Sequence, residues 1–222
     1  MRDRARGRRH VGRGGGHVSG ALVDAMLGLG LAVVVVRRRS VAIALLAAQS
    51  LALGIGALSL AGGRSGESLV AGFVLLSKAI VIPLLLYALI RRTREPGLVL
   101  AAAGPLVRLA CASAVVLCAV ILVPPLGLGD AHTEHAAVAL VLLGITIVVA
   151  RRPILFQLLG LIVAENGLSL LAVSVPGGPS YVVELGALFD LALIVTVAAA
   201  FVHQIHSELG TGDTELLRGL RD

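Results

Sequence analysis

Long apolar runs separated by short polar clusters organise this chain. Crossing the ~30 Å hydrocarbon layer of a bilayer takes about 20 helical residues. Seven runs approach or exceed that length: 21–36, 41–61, 68–90, 98–123, 135–150, 153–175 and 181–203. The separators are helix breakers and charges: Arg37-Arg38-Arg39, Gly62-Gly63-Arg64, Arg91-Arg92-Thr93-Arg94 before Pro96, Pro124-Pro125, Arg151-Arg152-Pro153 and Pro176-Gly177-Gly178-Pro179. A membrane barrel would instead alternate apolar and polar residues over strands of about ten. Uninterrupted runs favour helices, whose backbone groups are satisfied within each segment. The pattern therefore predicts an all-α membrane protein with about seven transmembrane helices.

Composition strengthens that reading. Apolar residues make up 57% of the chain and charged residues 14%, with a mean hydropathy of +0.97, far from the balance of a water-soluble domain. The net charge of +6 resides largely in arginine clusters between spans, so it is loop charge and not a nucleic-acid footprint. Cys111 and Cys118 would share one helix face two turns apart, beyond disulfide reach.

The basic clusters also set orientation. Ten arginines follow spans one, three and five or lie in the C-terminal tail, against Arg64 alone after spans two, four and six. The first set of loops and the C-terminus are thus expected on the cytoplasmic side. The Arg/Gly-rich segment 1–20 carries six arginines on the opposite side. It is expected to be disordered, and either it is exported against the trend or the true start lies near Val18 or Val23.

A repeat with an offset of about 112 residues underlies the spans. Arg38-Arg39-Ser40-Val41 leading to Leu45-Leu46 parallels Arg151-Arg152-Pro153-Ile154 leading to Leu158-Leu159, and Lys78 aligns with Asp190. Two parallel three-helix units follow, 21–96 and 131–206, with a connecting helix in 97–130 and a cytoplasmic tail at 207–222.

Against this apolar background, ionisable groups inside spans carry the functional expectation, because each costs about 2.5–3.5 kcal/mol to insert. Lys78, Glu165 and Asp190 lie 12, 12 and 13 residues from the expected cytoplasmic ends of spans three, six and seven. At 1.5 Å per residue all three sit about 18–20 Å deep. A cation between two carboxylates eases their burial, and low-dielectric carboxylates can take up and release protons near neutrality. Two readings remain open: a lateral proton relay, or a lysine that neutralises a carboxylate and locks helix packing. Gln49, Ser50, Asn166 and Ser169 could hydrogen-bond the track or serve as interhelical contacts. Glu184 is either an outer gate or an interfacial charge. Arg108, one turn after Pro105, is expected to snorkel to the membrane surface. His132, Glu134 and His135 are expected in a solvated exterior loop, being too sparse for a metal site. The chain has no P-loop, dinucleotide fingerprint, CxxC or haem-ligand pair at helical spacing within the membrane, so no catalytic centre, cofactor or metal of its own is expected.

These residues also resemble a known family. Arg151-Arg152-Pro153-Ile154-Leu155-Phe156-Gln157-Leu158-Leu159-Gly160-Leu161 followed by Glu165-Asn166-Gly167 looks like the second helix of the K subunit of respiratory complex I. From about Ala21 onward the chain is more similar still to hydrogenase-4 component E, the longer K-like membrane subunit of group 4 hydrogenase and formate hydrogenlyase-type complexes. The similarity includes Ala48-Gln49-Ser50-Leu51, Lys78 with Pro83, Gly104-Pro105, and Glu184, Gly186 and Asp190. The complex I protein places its first membrane glutamate where this chain has Ile162, one turn before Glu165.

The resemblance implies a non-catalytic, multi-pass subunit in the cell membrane arm of an oxidoreductase, coupling redox chemistry to proton or sodium translocation along Lys78, Glu165 and Asp190. It also implies the partners: antiporter-like membrane subunits, a protein like the H subunit of complex I, and a peripheral nickel-iron or iron–sulfur arm. The alternatives are a stand-alone transporter built from two parallel repeats and a purely structural scaffold.

Overall fold

The computed structural model describes residues 18–61, 66–93, 104–127, 130–151 and 153–175. They form six α-helices and no strand: α1 (Gly20–Val35), α2 (Arg39–Ala61), α3 (Gly66–Thr93), α4 (Pro105–Leu122), α5 (Ala131–Ala150) and α6 (Ile154–Ser174). Expected span seven, with Glu184 and Asp190, lies outside the described residues, as do most of the Arg/Gly-rich segment and the C-terminal tail. The aligned partner of Lys78 in the repeat lies there too.

Four helices are long and apolar enough to cross a membrane: α2, α4, α5 and α6. The described residues are thus all-helical, with the four apolar spans of a membrane protein. The apolar parts of α1 and α3 are shorter, Gly20–Val35 and Gly72–Ala88, and α1 at 16 residues spans only about 24 Å. Helix α3 runs without interruption through Pro83, whose missing N–H leaves the Ala79 carbonyl without its helical donor.

Side-chain contacts fix the direction of the helices. Arg108 at the start of α4 and Arg151 at the end of α5 both reach the carbonyl of Val34 at the end of α1. His132 at the start of α5 meets Asp24 near the start of α1, at 3.1 Å. Helices α1 and α5 therefore run the same way and α4 runs against them. Gln49 on α2 meets Met26 on α1, the contact expected of an antiparallel hairpin.

The most extensive packing joins α5 to α6 and α2 to α3. Between α5 and α6 the backbones themselves touch. A Cβ added at Gly144 would lie 2.4 Å from the Gly160 carbonyl oxygen, and one at Gly167 would lie 2.7 Å from that of Ala137. Ala137 and Gly144 are seven residues apart, as are Gly160 and Gly167, so each helix lays a seam of small residues against an antiparallel partner. Both faces of that seam sit in the core with Leu140, Leu143, Leu159 and Val163.

Helix α4 is peripheral. It buries Arg108, Ala112 and Ala119 against α1 and α5 and leaves Leu106, Val107, Leu117, Ile121 and Leu122 exposed. In a bilayer that apolar exposure faces lipid. Cys111 and Cys118 are both exposed and free.

Two sequence expectations are corrected here. Helix α5 begins at Ala131, not near 135. The Asp130 side chain caps it, accepting from the Thr133 N–H at 3.3 Å. Glu134 is buried in the first turn, accepting from the N–H groups of Leu126 at 2.6 Å and Gly127 at 3.2 Å. His135 donates through Nε2 to the Val123 carbonyl at 2.9 Å. These side chains fold the preceding loop onto the helix instead of standing in a solvated loop. Arg108 does not snorkel either: it is buried, at 6% exposure, because the carbonyls at the end of α1 lie within its reach.

Candidate functional site

Three helices bring polar side chains together halfway along their lengths. Lys78 from the middle of α3 and Glu165 from the middle of α6 form an ion pair, although 87 residues separate them in the chain. Neither helix follows the other, so the pair is created by tertiary packing. Lys78 has 2% exposure and Glu165 18%, which makes the carboxylate the more accessible partner. One turn further along α6, the Ser169 hydroxyl donates to Glu165 Oε1 at 3.0 Å.

The second half of the cluster joins α1, α2 and α6. Asn166 Nδ2 donates to Gln49 Oε1 and to Ser50 Oγ, each at 3.1 Å. Gln49 Nε2 in turn donates to the Met26 carbonyl of α1 at 3.0 Å. Gln49 and Asn166 are fully buried and Ser50 nearly so. An amide buried without partners would cost several kcal/mol in an apolar medium, so these bonds fix which faces of α1, α2 and α6 meet. Gly30 beside this site allows the approach: an added Cβ would lie 3.3 Å from Gln49 Nε2.

The structure thus brings together Lys78, Glu165 and Ser169 as one group and Gln49, Ser50 and Asn166 as another, adjacent on α6. Glu184 and Asp190 lie outside the described residues. No group of three or more metal-ligating side chains occurs among the described residues.

A second polar cluster, which the sequence pattern does not reveal as a unit, sits at the end of the bundle where α1 finishes. Arg151 Nη2 donates to the carbonyls of Val34 and Val36, both at 2.7 Å. Arg108 Nη1 donates to the same Val34 carbonyl at 3.3 Å. The last carbonyls of a helix have no partner within it, and the arginines supply one. The Arg151 guanidinium also stacks over the Phe156 ring, 4.4 Å from its centroid. Its pKa falls to about 10, chiefly through burial and secondarily through the positive charges of Arg108 and Arg37. It remains a cation at neutral pH. Three cues were available in the sequence: an arginine one turn into α4, arginines flanking two helix ends, and an α1 with no C-terminal cap residue.

Comparison with known proteins adds one relative. The chain is 33% identical over 87 residues to the uncharacterized protein Rv0085 of Mycobacterium tuberculosis. The match covers 39% of this chain and 40% of the relative, so the chain spans about two fifths of the length of the curated protein it matches. No family model matches the chain, and no solved structure matches it.

Proposed function

We propose that this chain is a non-catalytic membrane-arm subunit of a hydrogenase-4 or complex I-like oxidoreductase, in which a mid-membrane Lys/Glu/Asp track couples redox chemistry to proton or sodium translocation. The observation that carries this reading is the Lys78–Glu165 ion pair, buried halfway along α3 and α6. An ion pair at that depth is expensive to insert and marks ion pathways in membrane proteins. Glu165, the more accessible partner, is where a proton would enter or leave the pair. Asp190, expected at the same depth in a seventh span, extends the track. The arginine-rich ends of the helices face the cytoplasm by the positive-inside trend. Two parallel three-helix units and a connecting helix complete the architecture. Its partners are antiporter-like proteins, a protein like the H subunit of complex I, and a peripheral nickel-iron or iron–sulfur arm.

The test separates a relay from a scaffold. Glu165→Gln keeps the size and hydrogen-bonding capacity of the side chain and removes its charge. Inverted membrane vesicles carrying the assembled complex are expected to lose most of their redox-driven proton uptake, while co-purification of the partner proteins stays at the wild-type level. Undiminished proton uptake in that variant, with the complex intact, sinks the relay and leaves the scaffold.

A further inference from the structure

The arginine cluster at the end of α1 holds more positive charge and more hydrogen-bond donors than the described residues use. Arg108 and Arg151 are 6% and 3% exposed. Nε and Nη2 of Arg108, and Nε and Nη1 of Arg151, are buried with no hydrogen-bond partner. An Nε carries one N–H and an Nη two, so at least three donors on each guanidinium stay idle. Among the described residues no carboxylate pairs with either arginine. The two side chains converge on one carbonyl, that of Val34, and Arg37 adds its charge close by.

Backbone carbonyls satisfy donors but do not neutralise two buried cations, and uncompensated buried charge is strongly unfavourable. An oxyanion with several acceptor oxygens resolves both deficits at once. Guanidinium forks match the geometry of phosphate, and basic pockets at the ends of transmembrane helices suit anionic headgroups.

The surroundings indicate what carries the phosphate. Arg108 lies in the first turn of α4, flanked by the exposed apolar side chains of Leu106, Val107 and Leu109. A phosphate held at Arg108 and attached to acyl chains could lay those chains along the exposed face of α4. A free phosphate would leave that face bare.

We propose that Arg108 and Arg151 form a phosphate-binding site at the end of the bundle, shaped for the headgroup of an anionic glycerophospholipid whose acyl chains lie against α4. The site is independent of the midplane ion pair and does not rest on the function proposed above.

The experiment uses the full chain in a neutral, lipid-free detergent and reads thermal unfolding and, by native mass spectrometry, bound lipid. The probes are phosphatidylglycerol, phosphatidylcholine and inorganic phosphate. Phosphatidylglycerol is expected to raise the unfolding temperature and to remain bound, and phosphatidylcholine to do so weakly. In Arg108→Gln and Arg151→Gln the apparent affinity for phosphatidylglycerol should fall about 10- to 100-fold, as expected for losing charge-assisted hydrogen bonds. Arg108→Lys, which keeps the charge and loses the fork, should fall in between and covers the case in which the glutamine variants do not fold. The exposed Arg38 serves as control: Arg38→Gln should bind as wild type. A full response to inorganic phosphate alone, abolished in the same variants, assigns the site to a free phosphate instead of a lipid. Equal retention of phosphatidylglycerol and phosphatidylcholine, no response to any probe, or an equal loss in Arg38→Gln overturns the proposal.

Discussion

Two of the places where this bundle buries charge neutralise it differently. At mid-depth, Lys78 and Glu165 come from separate helices and meet as opposite charges. At the end of α1, Arg108 and Arg151 come from separate helices and meet as like charges, over the carbonyls of Val34 and Val36. Full charges cancel in the first case, whereas in the second the acceptors are the partial charges of a helix terminus. The lesson is about depth. Far from water a single cation needs a full counter-charge within the fold. Near the end of the bundle a pair of cations can persist on partial charges, and the deficit marks where something outside the described residues would bind.

The comparison breaks most visibly when the midplane is made to resemble the end. Lys78→Ala leaves Glu165 without its counter-charge and should destabilise the bundle by about 3–5 kcal/mol, read from equilibrium unfolding in mixed detergent micelles. The double variant Lys78→Met/Glu165→Leu removes both charges together and should recover most of that loss. A double variant as unstable as Lys78→Ala alone would show that packing, not charge balance, sets the effect.

The next largest effect tests the seam that positions α6, and with it Glu165 and Asn166. Gly144→Leu drives a side chain into the Gly160 carbonyl and the backbone of Ala164. Overpacking of this kind costs about 1–3 kcal/mol. Spin labels on α5 and α6 should report a wider separation of the two helices. Unchanged distances would remove the close approach as the reason for glycine at this position.

Smaller still, Arg151→Met should cost about 1–2 kcal/mol by the same unfolding assay, since it removes two hydrogen bonds and leaves the Val36 carbonyl without its arginine, while relieving repulsion with Arg108 and Arg37. A loss as large as that of Lys78→Ala would erase the contrast between the two regions. The smallest expected effect belongs to the neutral hydrogen bonds. A double-mutant cycle between Gln49→Ala and Asn166→Ala should return a coupling of about 0.6–1.7 kcal/mol, the range for interhelical hydrogen bonds in membranes.

Much of this architecture was legible in the sequence because lipid exposure and helix length write themselves into hydrophobic runs. The segments 41–61 and 153–175 match α2 and α6 within two residues at each end. Lys78 and Glu165 stood out for the same reason: an ionisable group within an apolar run is conspicuous, and counting along two helices placed both at one depth. The pairing of Asn166 with Gln49 and Ser50 was less legible, because a polar residue inside a span does not announce its partner.

Arg108 was misread because a lone arginine near a helix start looks like a surface residue. Only the position of α1 reveals the carbonyls that draw it inward. The expected start of α5 fell four residues late because His132, Thr133 and Glu134 count as polar in any hydropathy reading, yet Glu134 is engaged by backbone groups of the preceding loop. The small-residue seam had a signal, the seven-residue spacing of Ala137 with Gly144 and of Gly160 with Gly167. Alanine and glycine are so common in this chain that spacing acquires meaning only when two helices are seen facing each other.

The arginine that closes the end of α1 has a consequence for how the chain is made. Arg151 lies 117 residues beyond Val34, so at translation rates of about 5–20 residues per second the two are synthesised roughly 6–23 s apart. Throughout that interval the first helix is inserted, and although Arg108, 74 residues beyond Val34, can bind the Val34 carbonyl earlier, the helix still lacks the Arg151 bonds to Val34 and Val36. Its final seat is available only after the fifth helix has emerged. Insertion and docking are therefore separate events for α1, and a ribosome stalled before residue 151 would hold a nascent chain whose first helix can still slide and tilt.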